Sequence, residues 1–558
     1  MDNYAIADNF DLLGKLMDIH GENSFKAKSY AAAAFAIEKL PSQLSEFSIE
    51  KISSIRGIGD SIAKNIVEQL QTGTMVLLQE YLQKTPEGIL TMMSIKGIGP
   101  KKIATIWKEL EIETIGELLY ACNENRLANY KGFGAKSQQN IKEAIEFFMG
   151  SQGSYLYQQL ESFATEMTQL LSKAFPDFHF EITADFKRQL EIITSISWIT
   201  TAPMELLTKY FSTVECTFLE VENGHLVVES TAPVPLHFHF ATAENFGTML
   251  FLTTGSSDFL EAFEKETGWN SATAFATELE LFQAYNTAFI PAFRREAASI
   301  VLKAKKQSLK PCIETSDIRG IIHSHSNWSD GAETLEAMAV AAKEKGLEYL
   351  VISDHSQSAF YANGLREDRI RAQHQQIEEL NKKLAPFRIY KSIESDILND
   401  GSLDYDDEVL ASFDLIIASI HSNLKMTEEK AMMRLMNAIE NPYTAILGHM
   451  TGRLLLSRGG YPVNHQKIID ACVANNVVIE LNAHPRRLDI DWRWIEEAVD
   501  KGLLISINPD AHSIEGYQDC KYGVLVAQKA GLTKYQNLSS YDRSEFESFL
   551  MEQHQKRS

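Results

Sequence analysis

Between Asp317 and Ser513 short β-rich runs alternate with helical ones, and this alternation constrains the fold more than any other feature of the chain. Ile318–His323, Tyr349–Ser353, Arg388–Ile393, Leu415–Ser419, Ala445–Leu447, Val477–Leu481 and Leu504–Ile507 read as strands, with helices at Leu335–Lys345 and Glu367–Leu384. Such succession predicts a parallel sheet or barrel. Residues able to hold a metal fall at the carboxyl ends of six runs. They are His323 and His325 with Asp330, then Asp354-His355, Glu394-Ser395-Asp396, His421, His449, and Asp510-Ala511-His512. In β/α barrels that rim carries the active site. Residues i and i+2 of an extended chain point to one side, so His323 and His325 can face one ion, as can Asp510 and His512. A lone histidine at a strand end is ordinarily just hydrogen-bonded. Six of the chain's 15 histidines in one recurring pattern favour a shared cluster instead. Imidazole mixed with carboxylate suits Zn2+, Mn2+ or Fe2+ better than Mg2+.

The first 150 residues read as helices. Asn9 to Leu40 carries a helical pattern that Pro41 ends. Three turns then recur: Ile55-Arg56-Gly57-Ile58-Gly59-Asp60, Ile95-Lys96-Gly97-Ile98-Gly99-Pro100 and Tyr130-Lys131-Gly132-Phe133-Gly134-Ala135. Each follows one helical segment and opens another. Paired glycines before a helix N-terminus form a cradle for phosphate. Lys101, Lys102 and Lys136 lie in the first turns that follow. One such turn would be a plain helix connector; three point to sequence-independent contacts with a DNA backbone. The turns resemble helix-hairpin-helix modules.

Charge restricts where such a partner can bind. The chain carries 53 Lys+Arg against 75 Asp+Glu, a net of −22. Residues 1–150 hold 16 basic and 19 acidic residues, so most of the excess lies elsewhere. A polyanion must therefore meet a local patch rather than the global field. The five cysteines form no CxxC motif, and no apolar stretch approaches the ~18 residues of a membrane span. A reducing cytoplasm, without membrane attachment, is the expected setting.

Residues 151–300 read as mixed α/β. A helix covers Leu156–Phe175, and strands cover His179–Thr183, Leu190–Thr201, Glu215–Val221, Leu226–Glu229 after the Asn223-Gly224 turn, and Leu236–Ala241. Helix-hairpin-helix turns followed by this sheet resemble the bacterial X-family DNA polymerases. The resemblance implies a nucleotidyltransferase-like palm and thumb with metal-binding carboxylates. The matching positions instead hold Ser195, Ser197 and Pro235, and the position of the Gly-Ser triphosphate grip holds Ala184-Asp185 with only Lys187-Arg188 retained. Serine supplies no negative charge to a cation. Nucleotidyl transfer is therefore expected to be lost.

The motifs DIRGIIHSHSNWSDG, VISDHSQS, SIESDILNDGSLDY, ASIHS, ILGHMTGRLL and PDAHS resemble, in order, those of the PHP (polymerase and histidinol phosphatase) family. That resemblance implies a distorted (β/α)7 barrel holding up to three divalent ions. His323, His325, Glu394 and Asp510 would bind the first. Glu394 would bridge to a second, held by His421 and His449. Asp330, His355 and His512 would hold the third. Glu394, Asp510 and His325 would then help make hydroxide from water for attack on phosphorus. Asp354 and Asp396 are candidates to orient ligand imidazoles, with capping as the alternative. Arg453, Arg487 and Asn482 are candidates to contact substrate, with ordinary salt bridges as the alternative for the arginines. Tyr361 and Trp328 are candidates to stack on a base, with core packing the favoured reading for Trp328. The implied organisation is multidomain, α and α/β: helical domains at 1–75 and 76–150, an eroded palm and thumb at 151–300, a linker at 301–316 and the barrel at 317–558. The expected function is DNA-end processing by a metal-dependent phosphodiesterase, as a 3′→5′ exonuclease or 3′-phosphatase. A working repair polymerase with proofreading, a DNA-binding scaffold with a structural metal cluster, and a small-molecule phosphatase are the alternatives.

Overall fold

The computed structural model describes residues 3–557 except 39, 41–42, 96, 151–152, 214–215 and 222–224. The Pro41 stop and the Asn223-Gly224 turn lie outside the described residues. Packing divides the chain into two units. One comprises Met1–Cys122 and Phe133–Phe148; the other comprises Asn123–Gly132 and Met149–Ser558.

The first unit is helical. The single pattern read over Asn9–Leu40 is two helices, Asn3–His20 and Ser24–Glu38. Gly21 separates them at φ +78°, and the Asn23 side chain accepts the Phe25 amide to start the second. Phe10, Leu13, Ile37, Ile66, Met75, Leu78 and Tyr81 share one apolar core. That core includes residues on both sides of positions 75–76.

The second unit holds a five-stranded mixed sheet and a seven-stranded parallel barrel. The sheet runs in the order Phe180–Thr183, Ile196–Thr200, Leu236–Phe240, His225–Ser230, Cys216–Val221. Leu190–Thr201 is not one strand but two, Ile192–Ile193 and Ile196–Thr200, separated at Thr194-Ser195. Residues 301–316, read as a linker, are packed. Ser299–Lys305 is a helix, and Ile313 is fully buried with its amide on the Leu532 carbonyl at 2.8 Å.

The barrel strands are Gly320–Ile321, Tyr349–Ile352, Arg388–Asp396, Leu415–Ser419, Ile446–Leu447, Val478–Asn482 and Ile505–Asn508, each parallel to the next in sequence. Their Ile/Leu/Val runs are buried on both faces, as parallel strands require. The first strand is shorter than Ile318–His323 because His323 turns out of the ladder at φ +64°. The third is longer than expected and carries Glu394 and Asp396 within it. A parallel bridge between Ser324 and Ala511 joins the first strand's extension to the last, with His325 N to Ala511 O at 2.8 Å. That bridge sets His323 and His325 beside Asp510 and His512.

Candidate functional site

All nine side chains read as ligands converge at the carboxyl rim of the barrel; seven of them are at most 3% exposed, and His421 and His512 are the most open, at 4% and 6% of their side chains. Glu394 is central. Its Oε1 lies 2.9 Å from His449 Nε2, 3.1 Å from His421 Nε2 and 3.3 Å from His323 Nε2. Its Oε2 lies 3.0 Å from His355 Nδ1 and 3.6 Å from His325 Nε2. One carboxylate thus faces two sets of imidazoles, the geometry a bridging ligand needs. Asp510 Oδ1 is 3.1 Å from His325 Nε2 and 3.3 Å from His323 Nε2. Asp330 is 3.4 Å from His512 and 3.5 Å from His355. Three overlapping groups have the spacing to hold a metal: His325, Asp330, His355 and His512; His323, His325 and Asp510; and His355, Glu394 and His421. The grouping adds His325 and His355 to sets where the resemblance did not place them.

These separations fit an ion at the centre of each set. Ligand atoms about 2.1 Å from a cation and 90–110° apart lie about 3.0–3.4 Å from one another. Several buried polar atoms here have no hydrogen-bond partner: His323 Nε2, His325 Nδ1, both His355 nitrogens, His449 Nδ1, His512 Nε2, Asp330 Oδ2 and Glu394 Oε2. Such atoms cost folding energy unless a ligand engages them. The backbone is strained at the same place, since His323 and Asp510 both take positive φ, +64° and +52°. Burial opposes charge on His421 and His512, yet the adjacent carboxylates prevail and raise both to about 10. Burial likewise opposes ionisation of Asp330 and Glu394, but the neighbouring imidazoles hold both well below the usual carboxylate range. His325 is pushed down to about 3 by burial and by His512 and His355.

The residues behind the ligands decide which imidazole nitrogen points inward. Asp396 bonds His421 Nδ1 and leaves Nε2 facing Glu394. Asp354 touches no imidazole; it accepts from the amides and hydroxyls of Ser326 and Ser329 and from Gln373, so it braces the turn between His325 and Asp330. Glu480, which the sequence reading passed over, is fully buried and lies 2.6 Å from His323 Nδ1 and 2.7 Å from the His449 amide. Its signal was a lone acid inside the apolar strand VVIELN. Asn482 donates to Asp510 Oδ2 at 3.1 Å, and Arg487 Nε lies 3.7 Å from the same atom, so both sit on a ligand. Arg453 is turned away. Its three nitrogens engage Asp491 and the carbonyls of Arg487 and Leu488, which makes it a loop brace rather than a phosphate grip. Trp328 packs against the barrel core and donates to Gln376 at 2.7 Å.

In the mixed sheet Ser197 is paired with Thr183 on one side and His237 on the other. Ile196 N bonds Pro235 O, which sets Pro235 beside Ser195 at the strand entrance. Serine and proline stand at the three positions where the resemblance leads one to expect carboxylates. Lys187 is ion-paired with Glu181, and Arg188 with Asp185 and Glu296 at 2.5 Å each. These cations are engaged within the fold.

The first glycine of each of the three turns takes the same conformation. Gly57, Gly97 and Gly132 have φ of +96°, +97° and +97°, a region closed to most side chains. Gly59 and Gly99 cap the helices Asp60–Thr72 and Pro100–Lys108 without any side-chain hydrogen bond, so the amides of those first turns remain open to an acceptor. The third turn departs, with Gly134 also at positive φ, +132°, before the helix Ala135–Gly150. Lys101 and Lys136 are exposed, while Lys102 is half-buried and donates to Ser137 at 2.9 Å.

Comparison with known proteins agrees with this layout. Residues 1–75 match a helix-hairpin-helix domain, 89–146 a SAM-like helix-hairpin-helix tandem, and 322–484 a PHP domain. Asp510 and His512 lie beyond the last match and join the cluster through the closing strand. Probable phosphatases of Thermoanaerobacter sp. (strain X514) and Vibrio parahaemolyticus are 25% and 26% identical over 42% and 41% of this chain, covering 95% and 92% of their own lengths. The DNA polymerase/3'-5' exonuclease PolX of Bacillus subtilis (strain 168) is 33% identical over 96% of this chain and 96% of its own length. The chain therefore belongs to the bacterial PolX family.

Proposed function

We propose that this protein is a DNA-end-processing enzyme whose barrel hydrolyses phosphoesters, acting as a 3′→5′ exonuclease, and that it no longer synthesises DNA. The observation that carries the reading is the contrast within one chain. Nine ligand-type side chains converge in the barrel, whereas serine and proline occupy the carboxylate positions of the sheet. Up to three ions would sit here: one on His323, His325, Glu394 and Asp510, one on Glu394, His421 and His449, and one on Asp330, His355 and His512. The ligand chemistry suits Mn2+, Zn2+ or Fe2+. Bound divalent ions supply a nucleophile from water at neutral pH and offset charge on the phosphate. The chain's own part is to fix the donors. Glu480 and Asp396 set the His323 and His421 tautomers, and Asn482 orients Asp510.

The glycine turns, with Lys101 and Lys136, would hold the DNA backbone without reading sequence. Five free thiols accord with the reducing cytoplasm. No helix among the described residues is long and apolar enough to cross a membrane. The test is incubation with Mn2+ and 5′-labelled single-stranded DNA, which is expected to give a ladder shortened from the 3′ end. Phosphate release without shortening would favour 3′-phosphatase action, a second reading that the probable-phosphatase relatives support. Template-directed extension of a primer would refute the loss of synthesis.

A further inference from the structure

The segment Asn123–Gly132 packs with the second unit, although the sequence on either side of it belongs to the first. It brings two charged side chains to the mouth of the barrel. Glu124 is almost fully buried, and its carboxylate pairs with Arg126 at 2.8 Å. The Arg126 guanidinium lies over the ring of Tyr361, 4.6 Å from its centroid. Tyr361 sits on the loop that follows His355, so its ring face is covered by a cation rather than open to a base. Two polar atoms of this pair are buried without a hydrogen-bond partner, Arg126 Nε and the Tyr361 hydroxyl. Asp330 and Glu394 act on the charge of Arg126 from beyond ion-pair distance, and Glu124 acts on His512.

A guanidinium and a phenol, each with an unengaged donor, beside a phosphoester-cleaving centre form a seat for a phosphate. Because Arg126 stands off from the ligands, the phosphate it reaches is not the one held by the ions. We propose that Arg126 and Tyr361 grip the strand phosphate next to the one being hydrolysed, so that the barrel selects a polynucleotide end over a small phosphoester. Glu124 holds the guanidinium in place, and the Tyr361 ring supports its face. The proposal rests on the phosphoesterase reading above.

The test compares full-length wild type, Arg126→Ala, Arg126→Gln, Arg126→Lys and Tyr361→Phe, each with Mn2+. Two substrates are used, a labelled decathymidylate and bis(p-nitrophenyl) phosphate, which has no neighbouring phosphate. Mn2+ titration of each variant checks that the cluster is intact. Loss of one charge-assisted contact predicts that Arg126→Ala and Arg126→Gln lower the ratio of kcat/KM for DNA to that for the small diester by about tenfold or more, through KM. Arg126→Lys is expected to recover part of the ratio, and Tyr361→Phe to lose less of it. Binding of a phosphorothioate decathymidylate, which resists hydrolysis, should weaken in parallel. An unchanged ratio, or an equal fall on both substrates, overturns the proposal. Should Arg126→Ala not fold, Arg126→Gln and Arg126→Lys decide the matter. Failure of the phosphoesterase reading looks different: the wild type would then cleave neither substrate.

Discussion

Replacing Glu480 by Gln tests whether the buried acid behind the cluster controls metal binding. Glu480 accepts three bonds: His323 Nδ1 at 2.6 Å, Asn508 Nδ2 at 3.0 Å and the His449 amide at 2.7 Å. A glutamine has one carbonyl for these three donors. With its oxygen toward His323, its NH2 faces the His449 amide, and a buried donor is left unsatisfied at a cost of about 1–3 kcal/mol. With its NH2 toward His323, it donates to Nδ1, which moves the imidazole proton to Nε2, the atom that faces Glu394 and Asp510. Either orientation impairs the ligand. Loss of a carboxylate behind a metal-bound histidine typically costs about 10–100-fold in affinity, or about 1.4–2.7 kcal/mol. At Mn2+ 100 times the native Kd, binding stabilises the wild type by about 2.7 kcal/mol, whereas a variant weakened a hundredfold gains only about 0.4 kcal/mol. Calorimetric titration with Mn2+, and melting with and without it, read both quantities. A variant with native Mn2+ affinity and turnover would refute the role assigned to Glu480.

His325→Ala or Asp510→Ala should abolish hydrolysis while DNA affinity, measured by anisotropy, stays within about twofold, because the proposed backbone contacts lie in the glycine turns; retained hydrolysis would refute the ligand assignment. His421 and His512 are raised to about 10, so near neutral pH the metal-free protein holds both protonated, and an ion must displace those protons to bind. Mn2+ affinity should therefore rise from pH 6 to pH 8, with proton release that calorimetry in two buffers detects. Lys101→Ala with Lys136→Ala should weaken binding alike for all sequences and reduce the slope of log K against log salt by about two, as for two lost phosphate contacts.

The barrel was legible because six of its seven strands are apolar runs that lead into a chemically distinctive residue. Leu415–Ser419 and Glu367–Leu384 fall where the pattern placed them. What escaped depends on conformation or on distant partners. The early end of the first strand comes from the positive φ of His323, which no spacing announces in a non-glycine residue. The helix pair at the amino end was masked because Gly21 interrupts an apolar period without changing it. Arg453 and Arg487 look equivalent in sequence, yet one meets Asp491 and the other Asp510, a choice made by the loop fold. Arg126 lies nearly two hundred residues before the cluster it faces, just ahead of the third glycine turn and with no metal-binding residue type directly beside it to mark it.

Serine and proline at the positions where carboxylates were expected leave the core of the sheet intact, and the physical reason is where those positions stand. Trp198 and Phe238 stack within 5.5 Å on the face that packs against the helix Tyr157–Ala174, with the Trp198 indole donating to Thr168. Ser197 and His237 alternate with them and point the other way. Acids clustered at Ser197 and Pro235 would repel one another unless cations bound them, so serine and proline there relieve the fold of a charge it needs only for metal. The sheet also remains tied to the barrel. Glu161 on that helix meets Lys521 and Tyr522, and the buried Lys529 reaches the carbonyls of Arg188 and Gln189 at 3.4 Å. All three partners lie on the helix Cys520–Ala530, which follows Asp510 and His512. If the sheet no longer binds metal, as proposed, it still buttresses the helix behind the barrel's ligands, which is reason enough for it to persist.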